Sequence, residues 1–152
     1  MNLEEKVKIL NNFAKDWYST SQADRIHAAI FRKQGLVKLA DKCMEEAKEE
    51  LEEAEKCTAR VVALGGKPEY GFNPQEIHDD AKDLLQRWAN EFIEGIPAMN
   101  KIANSFDDDY VTREMFNEFI KGEEEHCAWV NKHLEFIKKV GYENYLIEMS
   151  EI

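Results

Sequence analysis

FNEFIKGEEEHCAWVNKHLEFI, residues 116–137, is the stretch whose reading decides the fold. Phe116, Phe119, Ile120, Cys127, Val130, Leu134 and Ile137 recur at three- and four-residue spacing, which gathers them into one stripe of an α-helix. Glu123 lies seven residues after Phe116 and seven before Val130, so the helical period turns it into that stripe. His126, three residues further, shares its side of the helix. Burying an unpaired carboxylate costs several kcal/mol, so a glutamate in this place calls for a proton, a cation or a metal beside it.

The rest of the chain reads as helix too. Its 152 residues contain only three prolines and seven glycines, and no alternating β-branched run competes. This length predicts a single domain over residues 1–152 with a substantial core. A net charge of −11 argues against nucleic acid and anionic membranes as partners. No apolar run is long enough to span a bilayer, and the first residues lack the apolar stretch of a signal peptide, so the expected location is cytoplasmic. Cys43, Cys57 and Cys127 are odd in number, widely spaced and form no C-x-x-C, which fits free thiols in a reducing compartment.

Four long helices and a short one are predicted. Helix A runs from Leu3 to Lys33 with Val7, Leu10, Ala14, Trp17, Ser21, Asp24, Ala28 and Phe31 inward, and Gln34-Gly35 breaks it. Helix B, Leu36 to Leu64, turns Leu39, Cys43, Ala47, Glu50, Ala54, Cys57 and Val61 inward and stops at Gly65-Gly66, with Pro68 beyond. Helix C spans Ile77 to Phe106 with Leu84, Trp88, Glu91, Gly95, Met99 and Ile102 inward and a kink expected at Pro97. Helix D starts with Thr112 as N-cap and ends near Val140, and a tail helix covers Glu143 to Ser150.

Connection lengths give the expected topology. The A–B and C–D joints are a few residues each, making two antiparallel hairpins, whereas the B–C segment is about as long as needed to run back along a helix of about 40 Å. The expected fold class is therefore all-α: an up-down-down-up four-helix bundle with one long crossover and a short C-terminal fifth helix, the ferritin-like arrangement.

Glu50 on helix B, Glu91 on helix C and Glu123 on helix D each fall about midway along an inward stripe. Carboxylates grouped with His126 would repel one another without cations, and hard oxygen donors with one imidazole suit iron, with manganese as the other metal of this chemistry. Glu53, one turn after Glu50, is a further candidate ligand or a member of helix B's acidic outer face.

Two stretches then become familiar. Residues 119–129, FIKGEEEHCAW, continuing to LEFIKKVGYENYL at 134–146, resemble the fourth and fifth helices of bacterioferritins. GLVKLAD at 35–41, leading to ALGGKP at 63–68, resembles their second helix and its terminus. The resemblance covers nearly the whole chain and implies a di-iron carboxylate site. Glu50, Glu123 and His126 land on its ligand positions, and Glu91 falls within one residue of another. Three positions depart from the family pattern: Trp17 stands where helix A would carry a glutamate, Glu53 replaces a histidine, and Leu51 replaces the methionine that ligates haem, so haem is not expected. Asp24, one heptad after Trp17 on the same stripe, is a substitute ligand displaced by about 10 Å along the helix, too far for one chelate ring at the family position. Either the helix register differs, or the family site is degraded, or a second position has arisen near Asp24, His27 and Cys43.

The function expected from the resemblance is a bacterioferritin-like iron-binding protein that oxidises or stores Fe(II) with O₂ or peroxide, working as a homo-oligomer between a dimer and a cage. Apolar residues of the tail helix, Tyr142, Tyr145, Leu146 and Met149, are expected to drive that association. Two other readings stand beside it: a rubrerythrin-like peroxide scavenger, and a ferritin-fold assembly protein whose metal site has degenerated.

Overall fold

The computed structural model describes residues 1–150, which form five α-helices and no strand: α1 (Leu3–Lys33), α2 (Val37–Ala63), α3 (Ala81–Ser105), α4 (Tyr110–Val140) and α5 (Tyr142–Met149). They fall into two compact units, one from Met1 to Ile77 and one from His78 onward.

The first unit is the α1–α2 hairpin with the extended segment that follows it. The α1 helix begins with a capping box, in which the Asn2 side chain accepts from the Glu5 amide and the Glu5 carboxylate accepts from the Asn2 amide. Gly35, at φ +81°, makes the left-handed turn between the helices. Leu10, Ala14, Trp17, Ala28 and Phe31 of α1 and Leu39, Cys43, Ala47, Ala54, Cys57 and Val61 of α2 are buried, which is the expected stripe on each helix. Beyond α2, a Cβ on Gly66 would overlap the Val7 side chain, so only glycine lets the chain turn this closely past α1.

The segment after Gly66 is pinned along α1 by polar side chains. Asn11 donates to the Lys67 carbonyl (3.1 Å) and accepts from the Glu69 amide (3.2 Å), Lys15 pairs with Glu69 (2.6 Å), and the Asn73 amide donates to Ser19 Oγ (2.8 Å) while its side chain bonds Asp16. These contacts advance along α1 as the segment advances, as a crossover returning along the hairpin requires. They also satisfy backbone groups that no regular element would serve.

The second unit is the α3–α4 hairpin with α5 folded onto it. The α3 helix starts at Ala81 rather than Ile77 because Asp80 caps it, accepting from the Asp83 amide (3.1 Å). It continues through Pro97 to Ser105. The α4 helix is capped by Asp109, not Thr112: Asp109 accepts from both the Thr112 amide (3.2 Å) and the Thr112 hydroxyl (2.6 Å).

The α5 helix corrects an expectation. Tyr145 and Met149 are buried and Tyr142 and Leu146 half-buried, so its apolar face is largely spent within its own unit. Tyr145 lies 2.8 Å from His133 Nδ1, and the Tyr142 hydroxyl donates to Asp80 (2.9 Å) while accepting from the Lys82 amide (3.1 Å). Burial is the main cause that raises the Tyr142 phenol, to about 12, so it stays a protonated donor to Asp80.

Candidate metal site

The α1–α2 hairpin gathers ionisable side chains in its interior. Asp24 and His27, one turn apart on α1, are buried, and Asp24 Oδ1 lies 3.0 Å from His27 Nδ1. From α2, Glu50 reaches Asp24 and the two carboxyl groups share a hydrogen bond, which requires one proton between them. Burial first, and then the Asp24 charge, hold the Glu50 carboxyl well above the usual carboxylate range; the Thr20 hydroxyl acts in the opposite sense. Glu50 is half-buried as a residue, but its Oε1 is shielded from solvent and has no hydrogen-bond partner among the described residues. Glu46, also buried, pairs with Lys42 at 3.1 Å.

The meeting of Asp24 and Glu50 is a consequence of side-chain direction. A helical side chain leans over the turn N-terminal to its own Cα. In an antiparallel pair the two N-termini point opposite ways, so side chains staggered in this sense lean toward one another. The hydrogen bond from Ser21 Oγ to the Ala47 carbonyl, 2.6 Å, marks the level at which they converge. The axial offset of Asp24 from the Trp17 level is thereby bridged. Trp17 itself is buried and packs against Phe13 with ring centroids 5.2 Å apart.

Cys43 is part of the same neighbourhood. Burial, followed by the charges of Asp24, Glu46 and Glu50, pushes its thiol far up, so it remains protonated there. Cys57 is raised to about 12 by burial and then Glu53. Glu53 is half-buried, with its Oε2 shielded from solvent. Also on α2, the exposed Glu45 and Glu49 and the buried Glu46 bring one oxygen each within 4.8 Å of one another. Glu46 sits three residues after Cys43 and four before Glu50, so its inward turn was readable from spacing.

In the α3–α4 hairpin, His126 is buried against the edges of Trp88 and Phe92, at centroid distances of 4.7 and 5.1 Å, and its Nε2 is shielded from solvent. Glu123 is half-buried one turn before it. Glu91 does not face inward. Its side chain is 55% exposed and pairs with Arg87 at 2.9 Å, while the neighbouring Phe92 takes the buried place. The heptad count from Leu84 overlooks the drift of a straight helix relative to a seven-residue repeat. It also sets a carboxylate against an aromatic ring, for which burial is far more favourable. Gly95 is exposed for the same reason. His133 is half-buried and stacked on Trp129 at 3.7 Å.

The family model for the ferritin-like domain matches residues 7–140. The chain belongs to the ferritin family. This ferritin is 29% identical over 123 residues to the bacterial ferritin of Neisseria meningitidis serogroup B, an alignment spanning 79% of this chain and 80% of the relative. It is 26% identical over 123 residues to the bacterioferritin of Brucella melitensis biotype 1, spanning 79% and 76%. With the bacterial ferritin of Pseudomonas aeruginosa it shares 27% identity over 152 residues, 93% of this chain and 94% of the relative. The all-helical ferritin-like fold with a short C-terminal helix is thus established. No helix among the described residues is long and apolar enough to cross a membrane.

Proposed function

We propose that this ferritin binds Fe(II), passes its electron to O₂ or peroxide, and retains the product. Three observations support this: its ferritin-family membership, the names of its relatives, and above all a buried Glu50 oxygen that the protein's own hydrogen bonds leave unused beside a second buried carboxyl group. A carboxyl pair that must hold a proton when empty is a pair that a divalent cation can occupy in its place.

In this reading Asp24, Glu50 and Glu53 of the first hairpin, and Glu123 and His126 of the second, are the iron-binding groups. Anionic oxygen donors favour the more highly charged, harder Fe(III) over Fe(II), so the ligand set itself eases the loss of the electron. Glu45 and Glu49, exposed beside the buried Glu46, form an acidic group that attracts further cations toward the chain. Manganese fits the same donors. Tyr70 and Phe72, 106% and 73% exposed on the pinned crossover, support association of subunits into a homo-oligomer. Leu51 offers no thioether sulfur, and haem is not part of the proposal.

Trp17 and the exposed Glu91 favour a second reading, a ferritin-fold assembly protein without a working metal centre. Adding Fe(II) aerobically to metal-stripped protein, and following Fe(III) absorbance and iron retained after desalting, separates the two. Wild type is expected to oxidise Fe(II) faster than buffer and keep it, with Glu123→Ala slower. Buffer-like rates with no retained iron in wild type would leave the assembly reading standing.

A further inference from the structure

We propose that Tyr145, His133 and Trp129 form a redox relay in the second unit: Tyr145 gives up one electron by way of Trp129 toward His126, and its phenolic proton passes to His133. This deepens the iron-binding reading and rests on it for the oxidant.

The relay begins with the spacing of α4. His126, Trp129 and His133 lie three and four residues apart and so share one face of the helix. Their rings follow one another, His126 to Trp129 at 6.4 Å between centroids and Trp129 stacked on His133 at 3.7 Å. The α5 helix, beyond the left-handed turn at Gly141, adds Tyr145, whose ring stands edge-on to His133 at 5.6 Å and whose hydroxyl lies 2.8 Å from Nδ1. Tyr145 is 0% exposed. The chain of rings thus runs from a residue that the proposed function gives to iron to an oxidisable phenol closed off from solvent.

Taking an electron from a phenol makes its proton strongly acidic. A buried tyrosine with no base beside it holds its electron, because oxidation would leave a radical cation in an apolar interior. A neutral imidazole at hydrogen-bond distance removes that obstacle: the O–H bond breaks, the proton goes to His133 Nδ1, and a neutral tyrosyl radical and an imidazolium remain. The stack on Trp129 suits that product, since a cation is attracted to the face of an indole. Indole is also oxidisable, so Trp129 is a stepping stone for the electron. Reducing peroxide to water breaks its O–O bond and takes two electrons and two protons. The substrate Fe(II) supplies one electron, Tyr145 the other and solvent the protons. A further Fe(II) then returns an electron to Tyr145 as His133 gives back its proton.

Two oxidants test the relay. In metal-free full-length protein carrying a ruthenium photo-oxidant on the half-buried Cys127, the other two thiols being buried, a laser flash should produce a tyrosyl radical seen by transient absorption and electron paramagnetic resonance. Tyr145→Phe should lose it, whereas Tyr142→Phe, which removes the other phenol of α5, should keep it. His133→Gln still accepts a hydrogen bond but is a far weaker base, and should lower the radical yield about a hundredfold. Trp129→Phe keeps a ring that resists oxidation and should slow the radical's appearance. In Fe(II)-loaded wild type, freeze-quenching after hydrogen peroxide should trap the same radical, absent in Tyr145→Phe. No radical from wild type after the flash, or a Tyr145→Phe signal equal to wild type, would overturn the relay. Fe(II) oxidised by peroxide without a tyrosyl radical in wild type would overturn its part in the iron chemistry. No Fe(II) oxidation, with a flash radical that Tyr145→Phe abolishes, would support the relay and overturn the iron-binding reading instead.

Discussion

Glu50→Gln should change how the metal-free protein's stability depends on pH. In the folded chain, burial and the Asp24 carboxylate hold the Glu50 carboxyl well above its ordinary range, so it keeps a proton that the unfolded chain has already released. Stability varies with pH as 2.303RT times the difference in bound protons between the unfolded and native states. With one more proton on the native state, that contribution is about −1.4 kcal/mol per pH unit. The sign follows directly: Glu50's contribution is fully present below the unfolded pKa of about 4.3 and is lost as pH rises through the folded value. Glutamine keeps the size and can still donate to Asp24, but it does not titrate. Urea unfolding of EDTA-treated wild type and Glu50→Gln should be compared at several pH values from 5 to 8. The difference between the curves cancels the background from the other charges. It should widen in the variant's favour by about 1.4 kcal/mol per unit up to Glu50's folded pKa and then level off. A difference that stays flat across the range would refute the shared-proton description of Asp24 and Glu50.

Two smaller predictions test the second unit. Tyr145→Phe removes the 2.8 Å contact with His133 while preserving the buried ring, and should cost about 1 kcal/mol, a melting shift of about 2–4 °C, with faster amide exchange in α5; no change in either would mean that α5 is held by its apolar contacts alone. Glu91→Ala breaks only an exposed pair with Arg87, so it should alter stability by less than about 0.5 kcal/mol and leave Fe(II) oxidation unchanged, and a marked loss of oxidation would show that Glu91 turns inward when iron is present.

Much of this was legible in the sequence because the decisive signals are local. Asn2 with Glu5, and Gln34-Gly35, bound α1 at the positions read from spacing, and Gly65-Gly66 does the same for the end of α2. Caps hidden in acidic runs were harder to see. Asp80 and Asp109 sit among other aspartates, and which one turns back to accept a backbone amide is settled only by the path of the chain. Glu91 was misplaced because a seven-residue count tracks a supercoiled seam better than a straight helix, and Phe92 was the stronger claimant to the interior. Residue spacing could place Asp24 and Glu50 each on an inward stripe. That they meet depends on the opposite lean of side chains on antiparallel helices, a property of the pair. The burial of α5 likewise needed His133, twelve residues from Tyr145 and across a turn at Gly141, to be recognised as its partner.

Anaerobic melting with and without Fe(II) tests most directly whether the inward carboxylates and His126 of this ferritin bind metal. A ligand that binds only the folded state stabilises by RT ln(1 + [L]/Kd), about 2.7 kcal/mol at a hundredfold excess over Kd, which corresponds to about 5–10 °C for a chain of this size. Wild type should show that rise. A variant combining Asp24→Asn with Glu123→Ala should not, because each substitution removes a carboxylate that would hold the metal. A wild-type melting curve unmoved by Fe(II) would contradict the metal site and leave only the fold.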